Sequence, residues 1–228
     1  MEGLFAIGST LPGDAELMER FGVSRTALRE GMKTLAAKGL IESKTKVGTR
    51  VLDEKNWNMF DADILAWRLQ RGLDQPFLVS LFEIRQALEP LGAAAAALYR
   101  TNEDIERMAA ALEAMRLPHH TKESFTQADL AYHRAILDAS ANPFLQSIGS
   151  VIEAALATAF TLSSPVDSPE RSELSKKQHQ AVFDAIVRQD PQAASQAMSI
   201  VILQGAEGAQ ISRPQASSVT VSVRLFGT

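Results

Sequence analysis

Apolar residues recur at helical spacing along most of this chain, and Gly, Pro and Asx-Pro pairs punctuate them. Leu17 and Met18 turn inward from a short helix predicted over 15–21, with Asp14 as its cap. Gly22-Val23 makes a tight turn. Ser24 then caps a second helix over 25–38, whose Leu28, Met32, Leu35 and Ala36 lie on one face and which Gly39 ends. Two short β-prone runs follow, Leu40 to Ser43 and Thr49 to Leu52, around the basic tip Lys44-Thr45-Lys46-Val47-Gly48, and they read as a hairpin. Residues 53–59, with the turn-prone Asn56-Trp57-Asn58, read as a linker. From there the period is helical, with candidate helices over 61–70, 76–100, 102–117, 122–140, 143–162, 169–189 and 191–212. Breaks fall at Gly72, Pro118, Asn142-Pro143, Ser164-Pro165 and Asp190-Pro191, the last a cap followed by a first-turn proline. The tail from Ser217 to Phe226 alternates apolar and polar residues, as a strand or a disordered end would.

The pattern therefore predicts a mainly α chain. A winged helix-turn-helix over 1–55 precedes an all-helical antiparallel bundle over 56–215, and 216–228 form a tail. Composition narrows the setting. Apolar residues make up 46% of the 228, enough for a core, and the absence of Cys excludes disulfides, thiolate metal sites and thiol nucleophiles. Met1 to Gly8 lacks a basic region and a long apolar run, so no signal peptide is expected. The most apolar stretch, 91–98, is too short to span a bilayer, and a cytoplasmic protein without membrane attachment is expected.

Charge is distributed unevenly. The net charge is −4, yet residues 20–50 carry eight basic side chains (Arg20, Arg25, Arg29, Lys33, Lys38, Lys44, Lys46, Arg50) against Glu30 and Glu42. A basic block on an otherwise acidic chain reads as a polyanion-binding face, the alternative being a solvated helix surface. Two short helices and a basic hairpin give that face a DNA-reading geometry, because a helix start fits the major groove. Ser24, Arg25, Thr26 and Arg29 sit at that start, with the two arginines four apart on one side. Lys44, Thr45 and Lys46 at the wing tip can reach the phosphate backbone or the minor groove.

In the helical part, Asp129 and His133 are one turn apart on one helix, and His179 lies on a later one. Imidazole and carboxylate donors on facing helices suit Zn, Ni, Mn or Fe rather than Ca. On spacing alone, a surface ion pair and a lone polar His explain these residues as well. Arg85, with Glu89 four residues on, is either a clamp for a carboxylate or half of a surface pair. A metallohydrolase and a metal-free interaction module are the competing functional classes, although for the hydrolase no general base stands near the His/Asp cluster in sequence and the DNA unit would be left unexplained.

The run from Leu11-Pro12-Gly13-Asp14 through Val23-Ser24-Arg25-Thr26-Ala27-Leu28-Arg29-Glu30 to Gly39-Leu40-Ile41 resembles the signature of the GntR family of transcription regulators. Glu83 to Ala96, Asp129 to Leu145 and His179 to Ala194 resemble the FCD ligand-binding domain of its FadR subfamily, so the likeness covers 8 to about 207. The likeness implies a homodimeric repressor on a palindromic operator, with Arg25, Thr26 and Arg29 at the bases and the Gly48 region of the wing at the minor groove. It implies a small carboxylic acid as effector, held by Arg85, Asp129, His133 and His179, and a divalent metal on Asp129, His133 and His179. The stretch from Asn56 to Leu69 is most like the galactonate- and other sugar-acid-responsive repressors of that subfamily, which implies an aldonate or uronate. Three departures stand out. Asp14 replaces the usual Glu, and Ala15 stands where an Arg is common. Val201 occupies the position of a fourth metal ligand, and His119 and His120, in a loop after Pro118, do not replace it. In addition, the family carries a helix before the Leu-Pro pair, and ten residues precede Leu11 here, so that first helix is expected to be missing.

Overall fold

The computed structural model describes residues 3–45, 47–70, 72, 74–151 and 153–211. The chain forms two compact units. One comprises residues up to 73 together with 143–158, and the other comprises 74–142 and the residues from 159 on.

The first unit opens with α1 (Asp14–Phe21) and α2 (Arg25–Ala37). Asp14 is the first residue of α1 rather than its cap. Gly13 holds the cap position without a side-chain bond, and Asp14 and Glu16 instead place negative charge in the first turn. Ser24 does cap α2, its Oγ accepting from the Ala27 amide at 3.2 Å. Gly39 follows α2 with φ +78°, and a β-carbon there would collide with the Asn56 carbonyl oxygen. β1 (Ile41–Lys44) and β2 (Gly48–Val51) pair antiparallel, Ile41 opposite Val51 and Lys44 opposite Gly48. A bridge between Thr10 and Arg50 lays the N-terminal segment along β2.

The expected linker is docked rather than free. Asp53 caps a single 3-10 turn over Glu54–Asn56, and the Asn58 amide donates to the Lys38 carbonyl at 3.0 Å. Lys38 itself is buried. Its Nζ lies 2.6 Å from Asp61 Oδ1 and 2.8 Å from Asp63 Oδ2, and Trp67 of α3 (Ala62–Gln70) stacks beneath it at 5.8 Å. Bonding to Lys38 holds the Asp61 carboxyl below its usual range. Among the described residues from 3 to 61, only Leu17, Lys38 and Ile41 are buried. This interior is thin, and α2 has no fully buried side chain at all.

The second unit is built from α4 (Gln75–Tyr99), α5 (Asn102–Arg116), α6 (Lys122–Ala139), α9 (Pro169–Val187) and α10 (Pro191–Gly208). The helix expected over 143–162 is matched on both sides of residue 152, by α7 (Pro143–Val151) and α8 (Glu153–Ser163). α4 packs on α6, α9 and α10, and α5 packs on α6 and α9. The small Ala93, Ala96 and Ala97 are fully buried on α4, which permits close helix approach there. Each helix begins where a cap residue stands: Asp74, Thr101, Thr121, Ser168 and Asp190 all accept a bond from a first-turn amide. The tail from 216 on lies outside the described residues. No helix among the described residues is long and apolar enough to cross a membrane.

Candidate functional site

The basic block of the sequence divides in the structure. Arg25, Thr26 and Arg29 are exposed on the first turns of α2, and among the described residues neither arginine has an ion-pair partner. The Ser24 hydroxyl is engaged as the cap. Thr45 is exposed in the wing turn, Lys44 pairs with Glu42 at 3.0 Å, and Lys46 lies outside the described residues. Gly48 takes φ +99°, and a β-carbon there would meet the Thr10 methyl at 3.0 Å. Besides Lys44, Lys33 is paired, with Glu30 at 2.8 Å, and two more of the eight basic residues are not free surface charges. Lys38 is buried, and Arg50 donates from Nε to the Gly8 carbonyl at 2.9 Å.

A cavity of about 420 Å³ opens within the second unit, lined in part by Arg85, Asp129, His133, His179 and Val201. The structure thus brings together the three ligands suggested by the sequence, along with the position where a fourth was sought. Val201 presents an apolar wall there. Asp129 and His133 come from successive turns of α6, and His179 comes from α9. Asp129 Oδ1 lies 3.3 Å from His133 Nε2 and 3.1 Å from His179 Nε2, and all three side chains are buried. Their ligand atoms lie within 4.8 Å of one another.

The far nitrogens fix how the rings stand. His179 Nδ1 donates to the Ser175 carbonyl at 2.7 Å, because a carbonyl can only accept. In the neutral ring, Nε2 therefore carries a lone pair aimed at the Asp129 carboxylate, an arrangement that requires a proton or a cation between them. His133 Nδ1 lies 2.6 Å from Glu89 Oε2, but neither of its nitrogens is aligned for a hydrogen bond. One imidazole oriented by its hydrogen bond, a second with both ring nitrogens orphaned, and one buried carboxylate fit a borderline transition-metal ion. His120 is spent elsewhere, bonding Ser124 and the Ala114 carbonyl.

Arg85 and Glu89 do form the expected i,i+4 pair, but it is buried rather than on the surface, 2.7 Å from Nε to Oε1, with exposures of 2% and 3%. The guanidinium lies over the rings of Phe160 at 4.3 Å and Phe82 at 5.1 Å. Burial works against a charged Glu89, but Arg85 and His133 outweigh it and hold the carboxyl down at about 2. Burial likewise favours a neutral His133, and the charges of Glu89 and Asp129 reverse this, raising it to about 9. The Asp129 carboxyl, buried against two imidazoles, stays well below the usual carboxylate range.

Sequence reasoning did not find the bridging role of Glu89 or the Tyr132 hydroxyl, which donates to the His179 carbonyl at 2.8 Å and ties α6 to α9. It also missed Arg171, Ser175 and Gln178, which line the cavity with His179. Their spacing of i, i+4, i+7 and i+8 was a readable signal: a polar stripe along one face of α9.

Residues 1–51 match the family described as bacterial regulatory proteins, gntR family, and residues 80–203 match the FCD domain. Over 202 residues the chain is 35% identical to the galactonate operon transcriptional repressor of Escherichia coli (strain K12), covering 89% of this chain and 88% of that protein. It is 31% identical over 199 residues to the HTH-type transcriptional repressor NanR of Enterobacter sp. (strain 638), covering 85% and 74%. Among solved structures it is similar to a Streptococcus agalactiae GntR, with a TM-score of 0.51 and 25% identity over 88% of this chain and 90% of that one.

Proposed function

The chain belongs to the gntR family of bacterial regulatory proteins and carries an FCD domain; from that premise we propose that it is a repressor released from its operator by a sugar acid. It is a DNA-binding transcription regulator and not an enzyme, which sets aside the hydrolase reading. The relative named for a galactonate operon supports an aldonate as the effector class, with a uronate the neighbouring choice. The observation that carries the reading is the cavity, whose wall combines the Asp129, His133 and His179 cluster with Arg85.

In this reading residues 1–55 read DNA and 56–215 sense the effector. Arg25, Thr26 and Arg29 contact base edges, Ser24 and the free amides of the α2 start take phosphate, and Lys44, Thr45, Lys46 and Gly48 follow the backbone or minor groove. Arg85, Asp129, His133 and His179 hold the effector. Asp129, His133 and His179 would hold a divalent Zn, Ni, Mn or Fe, which supplies an electrophilic anchor for carboxylate and hydroxyl oxygens. Three protein ligands leave room for those oxygens, and because an imidazole ligates only through an unprotonated nitrogen, metal uptake would weaken as pH falls. Repression is relieved if the effector binds the DNA-free state more tightly than the bound one. A homodimer on a palindromic operator, acting in the cytoplasm, completes the proposal.

The test uses duplexes from the region upstream of the chain's own gene, titrated by fluorescence anisotropy with and without D-galactonate. Operator affinity is expected to fall with the acid present and to fall with salt. Arg29→Ala should weaken DNA binding while leaving galactonate binding, measured by calorimetry, unchanged. DNA binding that survives Arg29→Ala at full strength, or the absence of a response to any aldonate or uronate, overturns the corresponding half.

A further inference from the structure

The cavity presents two guanidinium groups, and they differ in what they have left to give. Arg85 is saturated: Glu89 neutralises it, and two aromatic rings enclose it. Arg171 is exposed at the cavity wall and donates from Nη2 only to the Ser163 carbonyl, at 2.9 Å. Among the described residues no carboxylate reaches it, although Glu207 also lines the cavity. The fold makes room for this side chain. A β-carbon on Gly208 of α10 would run into Arg171 Nη2 and lie 3.1 Å from the Ser163 carbonyl oxygen. Glycine within a helix costs roughly 1 kcal/mol against alanine, and here the vacated space seats the guanidinium.

We propose that Arg171, rather than Arg85, clamps the effector's carboxylate. This rests on the sugar-acid reading and specifies which end of the acid lies where. Arg171 and His179 share one face of α9, eight residues and so about 12 Å of helix rise apart. An acid anchored at both ends must be long: an open-chain polyhydroxy acid rather than a two- or three-carbon hydroxy acid. Gln178 on α9 and Gln204 on α10 line the cavity as well and offer amide groups to the hydroxyls between.

The experiment is calorimetric titration of the full chain with D-galactonate, with galactitol as the uncharged counterpart of the same length and with glycolate as a short acid. The intact protein is expected to prefer galactonate to both. Arg171→Gln should bind galactonate about 10- to 100-fold more weakly and lose the preference over galactitol, with an unchanged thermal midpoint. Gly208→Ala, which displaces the guanidinium, should reproduce that loss, and Arg171→Lys should recover part of the affinity. If Arg171→Gln or Gly208→Ala keeps the preference for galactonate over galactitol, the carboxylate lies elsewhere and the assignment is overturned. If the intact protein binds no polyhydroxy acid, the sugar-acid reading itself falls and this assignment with it.

Discussion

Truncating Glu89 to alanine is the most exacting perturbation of the sensing unit. Its carboxylate lies 2.7 Å from Arg85 Nε and 2.6 Å from His133 Nδ1, and it is 3% exposed. Glu89→Ala leaves a guanidinium of 2% exposure with no counter-charge. Removing one partner of a buried ion pair costs about 3–5 kcal/mol, because the remaining charge keeps its desolvation penalty and loses its compensation. Domains are stable by roughly 5–15 kcal/mol, so the loss is a large part of the total. The two cations that hold the Glu89 carboxyl at about 2 do so against its burial, which marks how strongly the charges are coupled. Replacing both partners reverses the balance. In Arg85→Met with Glu89→Leu no guanidinium is stranded and His133 keeps Asp129 as its counter-charge, while the Phe82 and Phe160 rings that now enclose the guanidinium can accept a thioether. The double variant should return to within about 1 kcal/mol of the parent. Urea unfolding followed by circular dichroism measures this as a shift in midpoint at constant slope. A loss below about 1 kcal/mol for Glu89→Ala, or a double variant no more stable than the single, would refute the argument.

Three further outcomes follow from the same structure. Val201→His places an imidazole at the position where the family's fourth ligand is expected, on the cavity wall, and should tighten zinc or nickel binding at least 10-fold in a competition assay with a chelator, by an order-of-magnitude reading of ligand number; unchanged affinity places position 201 outside the coordination sphere. In the metal-free protein His133, raised to about 9 from an ordinary 6.5, contributes stability that is fully present below about pH 6.5 and is lost as pH rises through about 9. Thermal midpoints should therefore fall across that window, and a flat profile shows that His133 is not protonated in the folded state. Gly39→Ala combines a φ of +78° with a collision against the Asn56 carbonyl, so it should cost the first unit more than about 2 kcal/mol and weaken operator binding; a variant that binds DNA as the parent does shows that Asn56 yields easily.

Helices were the legible part of the sequence because their caps and their apolar period agree. Ser24, Thr101, Thr121 and Asp190 each stand where a helix begins. Of the site, Asp129 with His133 could be paired from spacing, whereas His179 was a candidate that only the resemblance tied to them, because nothing local relates a residue on α9 to one on α6. The fate of individual charges was the least legible. Lys38 looked like part of a DNA-facing block and is instead buried between Asp61 and Asp63, residues more than twenty positions away. Arg85 with Glu89 could be paired from sequence, but whether a pair faces water or the interior depends on which helices cover it, and that is decided by packing.

The sparse interior beneath α2 and the wing has a consequence for the energetics of operator recognition. With Leu17, Lys38 and Ile41 as the buried side chains among the described residues from 3 to 61, that segment has little apolar area of its own with which to resist loosening. A duplex that grips α2 and the wing then acts as scaffolding as well as target, and its binding free energy includes the ordering of what it grips. Association should accordingly show a heat-capacity decrease larger than the docked surface alone accounts for. Affinity would then depend on temperature as a folding equilibrium does, which makes this regulator sensitive to warmth at the DNA end even when its sensing unit is undisturbed.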